Sequence, residues 1–208
     1  MKKGFTLIEM IAVVIILGIV LLIAVPAVTS YIKGSNDSVY VNSMSSYLQQ
    51  VKMDYSEKQY GPYINKGEIM VVPLKNIKLD KGNTDSSPYG KIVYSQSYVL
   101  IERSTNGVKY YVTVLDKTSK GFVDVREDEM NNNTVKKDLK SIDVQSIDAS
   151  YRCDDVVEDG VTKRLPTLLP SAVFMFKEVA YKPVEYRLYP RDGYNCDKTY
   201  PIIIYEKV

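Results

Sequence analysis

From Met10 to Val28 no side chain carries a charge, and Phe5–Ile8 before them are almost as apolar. As a helix, Phe5–Val28 would extend about 36 Å, against about 30 Å for the hydrocarbon core of a bilayer. Lys2 and Lys3 precede the run, and no further basic residue follows until Lys33. That asymmetry predicts an N-terminus held in the cytoplasm and a remainder sent outward. One residue breaks the pattern. Glu9 is a carboxylate just inside the apolar edge, where charge costs roughly 2.5–3.5 kcal/mol at the centre of a membrane helix.

Three readings compete for this segment. It is a secretory signal peptide cut after Ala27, a plain single-span anchor, or a leader processed ahead of the apolar run. The first two gain nothing from Glu9, so the carboxylate favours the third.

The stretch KKGFTLIEM (residues 2–10) resembles the class III leader of type IV prepilins and pseudopilins. Its elements are a short basic leader, a Gly, a Phe, a few small or apolar residues and then Glu. The resemblance covers residues 1–33 and implies cleavage by a prepilin peptidase between Gly4 and Phe5. It also implies N-methylation of Phe5 and places Glu9 fifth in the mature chain. Cleavage creates an amine at Phe5, four positions before Glu9, and residues at i and i+4 share a helix face. A paired charge in an apolar phase is far less costly than a lone one. The resemblance implies that the pair forms between neighbouring subunits and sets their register. Loss of Lys2 and Lys3 takes the 27 basic residues to 25, equal to the 25 acidic ones.

Gly18 and Pro26 also match the family's downstream pattern. Both residue types are frequent in membrane helices. Pro26 also removes a backbone hydrogen bond, and Gly18 lowers helix propensity. The resemblance implies that this stretch unwinds when subunits pack in a filament.

Composition excludes several functions. The chain has no His, which removes Ser-His-Asp and Cys-His nucleophile activation. Two Cys without His cannot build a structural zinc site. A net charge of +2 with no basic stripe is no footprint for nucleic acid, so no direct nucleic-acid binding is expected. No spacing of carboxylates, Lys or Tyr suggests an enzyme, and no cofactor or metal is expected. The 18 Tyr suit half-buried strand surfaces and contact surfaces.

Beyond the apolar run, Val41, Met44, Tyr47, Leu48, Val51 and Tyr55 recur at helical spacing. The expected element is one helix from Phe5 to about Lys58, ended by Gly61-Pro62. KGSND at 33–37 is its soft spot, a kink or a break with a new N-cap at Ser35 or Asn36. Residues 69–72 read as a short extended piece with a turn after Pro73. Tyr98–Arg103 and Val108–Val114 read as antiparallel strands around an Asn106-Gly107 turn. Past Gly121 the pattern is irregular. Asp124, Glu127, Asp128 and Glu129 lack calcium-loop spacing and read as a solvated loop. Further strands are expected at 151–157, 161–165, 184–189 and 201–205, with turns at Asp159-Gly160 and Asp192-Gly193. The apolar stretch 167–179 is a buried strand or an exposed contact patch, with burial favoured.

Cys153 and Cys196 form an even pair in a chain expected outside the cytoplasm, which suggests a disulfide. Two buried free thiols are the alternative.

The expected fold class is α+β: a long N-terminal helix packed on an antiparallel sheet, with a C-terminal β-rich addition. The expected division is leader 1–4, membrane or fibre-core helix half 5–28, amphipathic half 29–60, β head 61–125 and C-terminal lobe 126–208. The implied function is a structural subunit of a type IV pilus or of a secretion- or competence-type pseudopilus. Its implied partners are other pilin subunits, a prepilin peptidase, an assembly platform protein with its ATPase, and the membrane. The implied location is a single pass through the cytoplasmic membrane, then a cell-surface fibre. A membrane-anchored extracellular binding module that never polymerises is the alternative.

Overall fold

The computed structural model describes residues 6–79, 85–158, 160–190 and 194–208. Its first element is α1, Leu7–Ser56, a single helix of 50 residues and about 75 Å. Thr6 is the N-cap, extended at φ −81° and ψ 153°. The helix therefore opens two residues after the expected start at Phe5, a residue outside the described ones.

The helix expected as one element is continuous through the soft spot at 33–37, with no break there. Two kinds of contact hold this turn. Ser38 Oγ donates to the Gly34 carbonyl at 3.0 Å. Asp37 is buried and accepts from Tyr89 Oη at 2.6 Å and Lys137 Nζ at 3.1 Å. Those partners lie far along the chain, so local propensity could not reveal them. The helix also ends before Gly61-Pro62. The Glu57 N–H closes on the Met53 carbonyl at 2.9 Å, and Lys58 then takes φ 58° and reverses the chain.

The buried stripe of α1 is Tyr40, Met44, Tyr47, Leu48, Val51 and Tyr55. Tyr40 takes the place expected for Val41, which packs only at the core's margin. The stripe lies on a seven-stranded antiparallel sheet of order β4-β3-β2-β1-β9-β8-β7. Its strands are β1 Ile69–Pro73, β2 Tyr98–Ser104, β3 Gly107–Leu115, β4 Gly121–Arg126, β7 Phe174–Phe176, β8 Val179–Arg187 and β9 Ile202–Lys207. A separate ribbon pairs β5 Tyr151–Glu158 with β6 Val161–Leu168.

The hairpin between β2 and β3 is shifted from the expected turn by one residue. Ser104 pairs with Gly107, so Thr105 and Asn106 form the turn and Gly107 holds φ 113°. The strand β4 was not expected. It follows a register shift between Val112 and Val114. A Cβ on Gly121 would lie 1.8 Å from the Val114 carbonyl oxygen, so only glycine allows that approach.

β1 is buried along its whole length, and Ile202–Tyr205 of β9 are buried too. Both read as unbroken apolar runs because both faces of the sheet are covered. Met70, Val72, Val99, Ile101, Val112, Val114, Ile202 and Ile204 face the helix side. Ile69, Val71, Leu100, Tyr111, Ile203 and Tyr205 face a second core with Phe174 and Phe176. In a flat sheet β7 would lie about 19 Å from β2. Instead the Tyr98 and Phe174 rings are 5.8 Å apart. The sheet therefore curls until its last strand closes over the face of β2 and β3. The stretch 167–179 thus supplies buried rings, Phe174 and Phe176, while Val173 and Met175 stay exposed. Strands from both sides of residue 126 share this sheet.

Candidate functional site

Among the described residues, the first half of α1 has no buried side chain. Leu7 is 79% exposed, Leu22 76% and Ile23 72%. An 18-residue window of α1 has mean hydropathy 3.2 and none of it is buried, so the helix is long and apolar enough to cross a membrane. Burying such a surface in lipid or against like helices removes apolar area from water, at roughly 25 cal/mol per Å². The second half of the same helix is committed to the head.

Glu9 sits in the first turn, where the unpaired N–H groups and the helix dipole favour negative charge. Its Oε2 accepts from the Thr6 backbone N–H and from Thr6 Oγ1, both at 2.8 Å. The Glu9 N–H donates to Thr6 Oγ1 at 3.4 Å. This is a capping box. Sequence reasoning sought a partner for Glu9 only in the Phe5 amine. The Thr-x-x-Glu spacing was the signal for the second partner. Gly4 and Phe5 lie outside the described residues.

Gly18 has no neighbouring atom within 4 Å of the place its Cβ would occupy. Pro26 lies inside the continuous helix. Thr29 Oγ1 donates to the Val25 carbonyl at 2.8 Å, in the turn that follows the Pro26 nitrogen.

This segment matches the family model of the prokaryotic N-terminal methylation motif over residues 1–25. The N-terminal segment is a class III prepilin leader. No curated protein and no solved structure matches the chain. The leader and its apolar helix are similar to those of pilins and pseudopilins, and the head is α+β, a long helix laid on an antiparallel sheet.

Polar contacts join the leader's helix to the head at several levels among the described residues. Asp37 meets Tyr89 and Lys137, and burial, followed by the Asp37 carboxylate, pushes the Tyr89 phenol well above its ordinary range. Tyr89 therefore stays a donor. Lys52 meets Glu127 at 2.7 Å. Asp54 accepts from Tyr60 Oη at 2.8 Å and from Gln50 at 2.9 Å. Asp37 and Asp54 are buried members of an otherwise apolar stripe, and nothing in their spacing set them apart from solvated residues.

The four carboxylates expected in a solvated loop point to different partners, and Asp124 lies half-buried on β4 rather than in a loop because it pairs with Thr113 of β3. Asp124 accepts from Thr113 Oγ1 at 3.0 Å, Glu127 pairs with Lys52, and Arg126 pairs with Asp128 and Glu129. Among the described residues no three His, Cys, Asp or Glu side chains are grouped to hold a metal ion. Cys153 of β5 is bonded to Cys196, with 5.9 Å between their Cα atoms. The bond ties the ribbon's base to the segment before β9.

Proposed function

We propose that the chain is a structural subunit of a type IV pilus or a related pseudopilus. The observation that carries this is the class III leader in front of a bare apolar helix half, continuous with a folded head. The prepilin waits in the cytoplasmic membrane with residues 1–4 on the cytoplasmic side. A prepilin peptidase cuts between Gly4 and Phe5 and methylates the Phe5 amine. An assembly platform with its ATPase then moves the subunit from lipid into a fibre, where like helices cover the exposed apolar half.

Glu9 has two roles in this reading. In lipid, Thr6 satisfies one carboxylate oxygen within the subunit. In the fibre, the carboxylate meets the methylated amine of a neighbour and sets axial register. A capped carboxylate is cheaper to hold in lipid than a free one, so the charge is kept until a cation reaches it. Gly18 and Pro26 are the points at which the helix yields during packing.

Intact mass and N-terminal sequencing of the protein isolated from its membrane test this reading. The expected chain begins at N-methyl-Phe5. A chain beginning at Met1 indicates a plain anchor, and one beginning near Val28 a secreted protein. Either result removes the pilin assignment.

A further inference from the structure

The head gathers cations where α1 leaves its apolar span. Three loops meet there through backbone bonds. The Lys117 N–H donates to the Lys91 carbonyl and the Leu139 N–H to the Ser119 carbonyl, each at 2.8 Å, and Gly121 and Lys136 exchange bonds at 2.9 and 3.0 Å. Beside α1 they frame a cleft of about 390 Å³ lined by Lys33, Tyr89, Thr118, Lys120, Lys137 and Asp138. That volume suits a small polar group.

The cleft is anchored to the helix. Tyr89 Oη donates to Asp37 and reaches the Lys33 carbonyl at 3.3 Å. Lys120 Nζ lies 4.2 Å from the centre of the Tyr89 ring. Lys137 Nζ pairs with Asp37 yet keeps 53% of its side-chain surface exposed. The described ion pairs use neither Lys33 nor Lys120. Two ammonium groups outside the described ion pairs, Lys33 and Lys120, and Lys137, which also pairs with Asp37, therefore line the cleft beside one carboxylate, Asp138. Asp116, behind the cleft, is buried and accepts from Ser87, Thr118 and the Lys120 N–H.

The position of the cleft identifies its ligand. Lys33 follows Val28 by five residues, about 7.5 Å along the helix. The polar layer of one leaflet is about 5–7 Å thick. With α1 spanning the membrane, Lys33 lies at the outer edge of the headgroup layer, where a Tyr ring is also at home. The geometry points to a binding site for the phosphate of an anionic phospholipid headgroup, held between Lys33, Lys120 and Lys137. This rests on the membrane-spanning reading of α1. Occupancy would hold the head against the bilayer before the subunit is extracted.

The test uses the full chain reconstituted into vesicles of phosphatidylcholine alone or mixed with phosphatidylglycerol. Flotation reports insertion, and native mass spectrometry of the detergent-released protein counts retained lipids. The wild type is expected to float with both vesicles and to retain phosphatidylglycerol over phosphatidylcholine by about fivefold or more. Lys33→Gln with Lys120→Gln is expected to bring the ratio near one, with the thermal midpoint unchanged. Lys66→Gln, a lysine outside the cleft, is expected to leave the ratio at the wild-type value. Equal retention by the wild type overturns the site, and so does a preference that survives the double substitution. Displacement of the lipid by soluble glycerol phosphate assigns the cleft to a free phosphate and overturns the lipid source. Failure to float with either vesicle removes the membrane reading itself, and the site with it.

Discussion

Tyr111 of β3 and Phe176 of β7 meet edge to face, with ring centroids 5.0 Å apart, although four strands of the sheet's order stand between β3 and β7. The contact exists because the sheet curls. Lys177 adds to it by donating to Tyr111 Oη and lying 3.6 Å from Glu102. Phe176 is almost wholly buried. Phe176→Ala is expected to cost about 3–5 kcal/mol of stability. Urea denaturation followed by circular dichroism checks this, and a loss below about 1 kcal/mol would show that the closing strand carries little of the core.

Thr6 and Glu9 separate two functions of one carboxylate. Thr6→Ala removes the capping hydroxyl and is expected to cost about 1 kcal/mol at the helix start, with fibre incorporation retained. Glu9→Val is expected to leave membrane insertion near normal and to abolish incorporation. Membrane fractionation and immunoblots of sheared fibres distinguish the two. Equal incorporation by Glu9→Val and wild type would remove the register role.

The Cys153–Cys196 bond closes a loop of sequence separation 43. Chain entropy gives about 3–4 kcal/mol for a loop of that size. The double substitution Cys153→Ser/Cys196→Ser is expected to lower the denaturation midpoint accordingly. Limited proteolysis should then cut first near the β5–β6 ribbon, because the bond fastens that ribbon's base. An unchanged cleavage pattern would contradict the role.

Asp124 gives stability a dependence on pH. Burial raises its carboxyl above the ordinary value, while the Thr113 hydroxyl and the Lys177 and Lys136 charges act in the opposite direction. The folded state thus holds this proton more tightly than the unfolded chain does. The contribution is fully present below the unfolded carboxylate range and is lost as pH rises through the folded value. Asp124 also sits at φ 48°, a conformation that Asn tolerates. Asp124→Asn is expected to raise the thermal midpoint at neutral pH, with the gain vanishing in acid. A gain equal at both pH values would refute the assignment to ionisation.

Much of the functional segment was legible because its information is local. Leader residues, the apolar run and Glu9 are read in order along the chain. So are the apolar positions of α1 and the alternation of β2 and β3. The cap on Glu9 was legible too, in Thr-x-x-Glu, but went unread beside the Phe5 amine. Asp37 was not legible: its donors come from residues 89 and 137, and no spacing around 33–37 encodes them.

By itself the sequence determined that the chain begins with a class III leader and an apolar helix, and that strands and a cysteine pair follow. Those properties depend on neighbours a few positions apart. Only the tertiary structure decided that β9 lies beside β1, that the sheet curls until Phe174 and Phe176 cover its second face, and that α1 runs unbroken past Gly34. Each of these follows from contacts between residues far apart in the chain, and their free energy is absent until the fold brings the partners together.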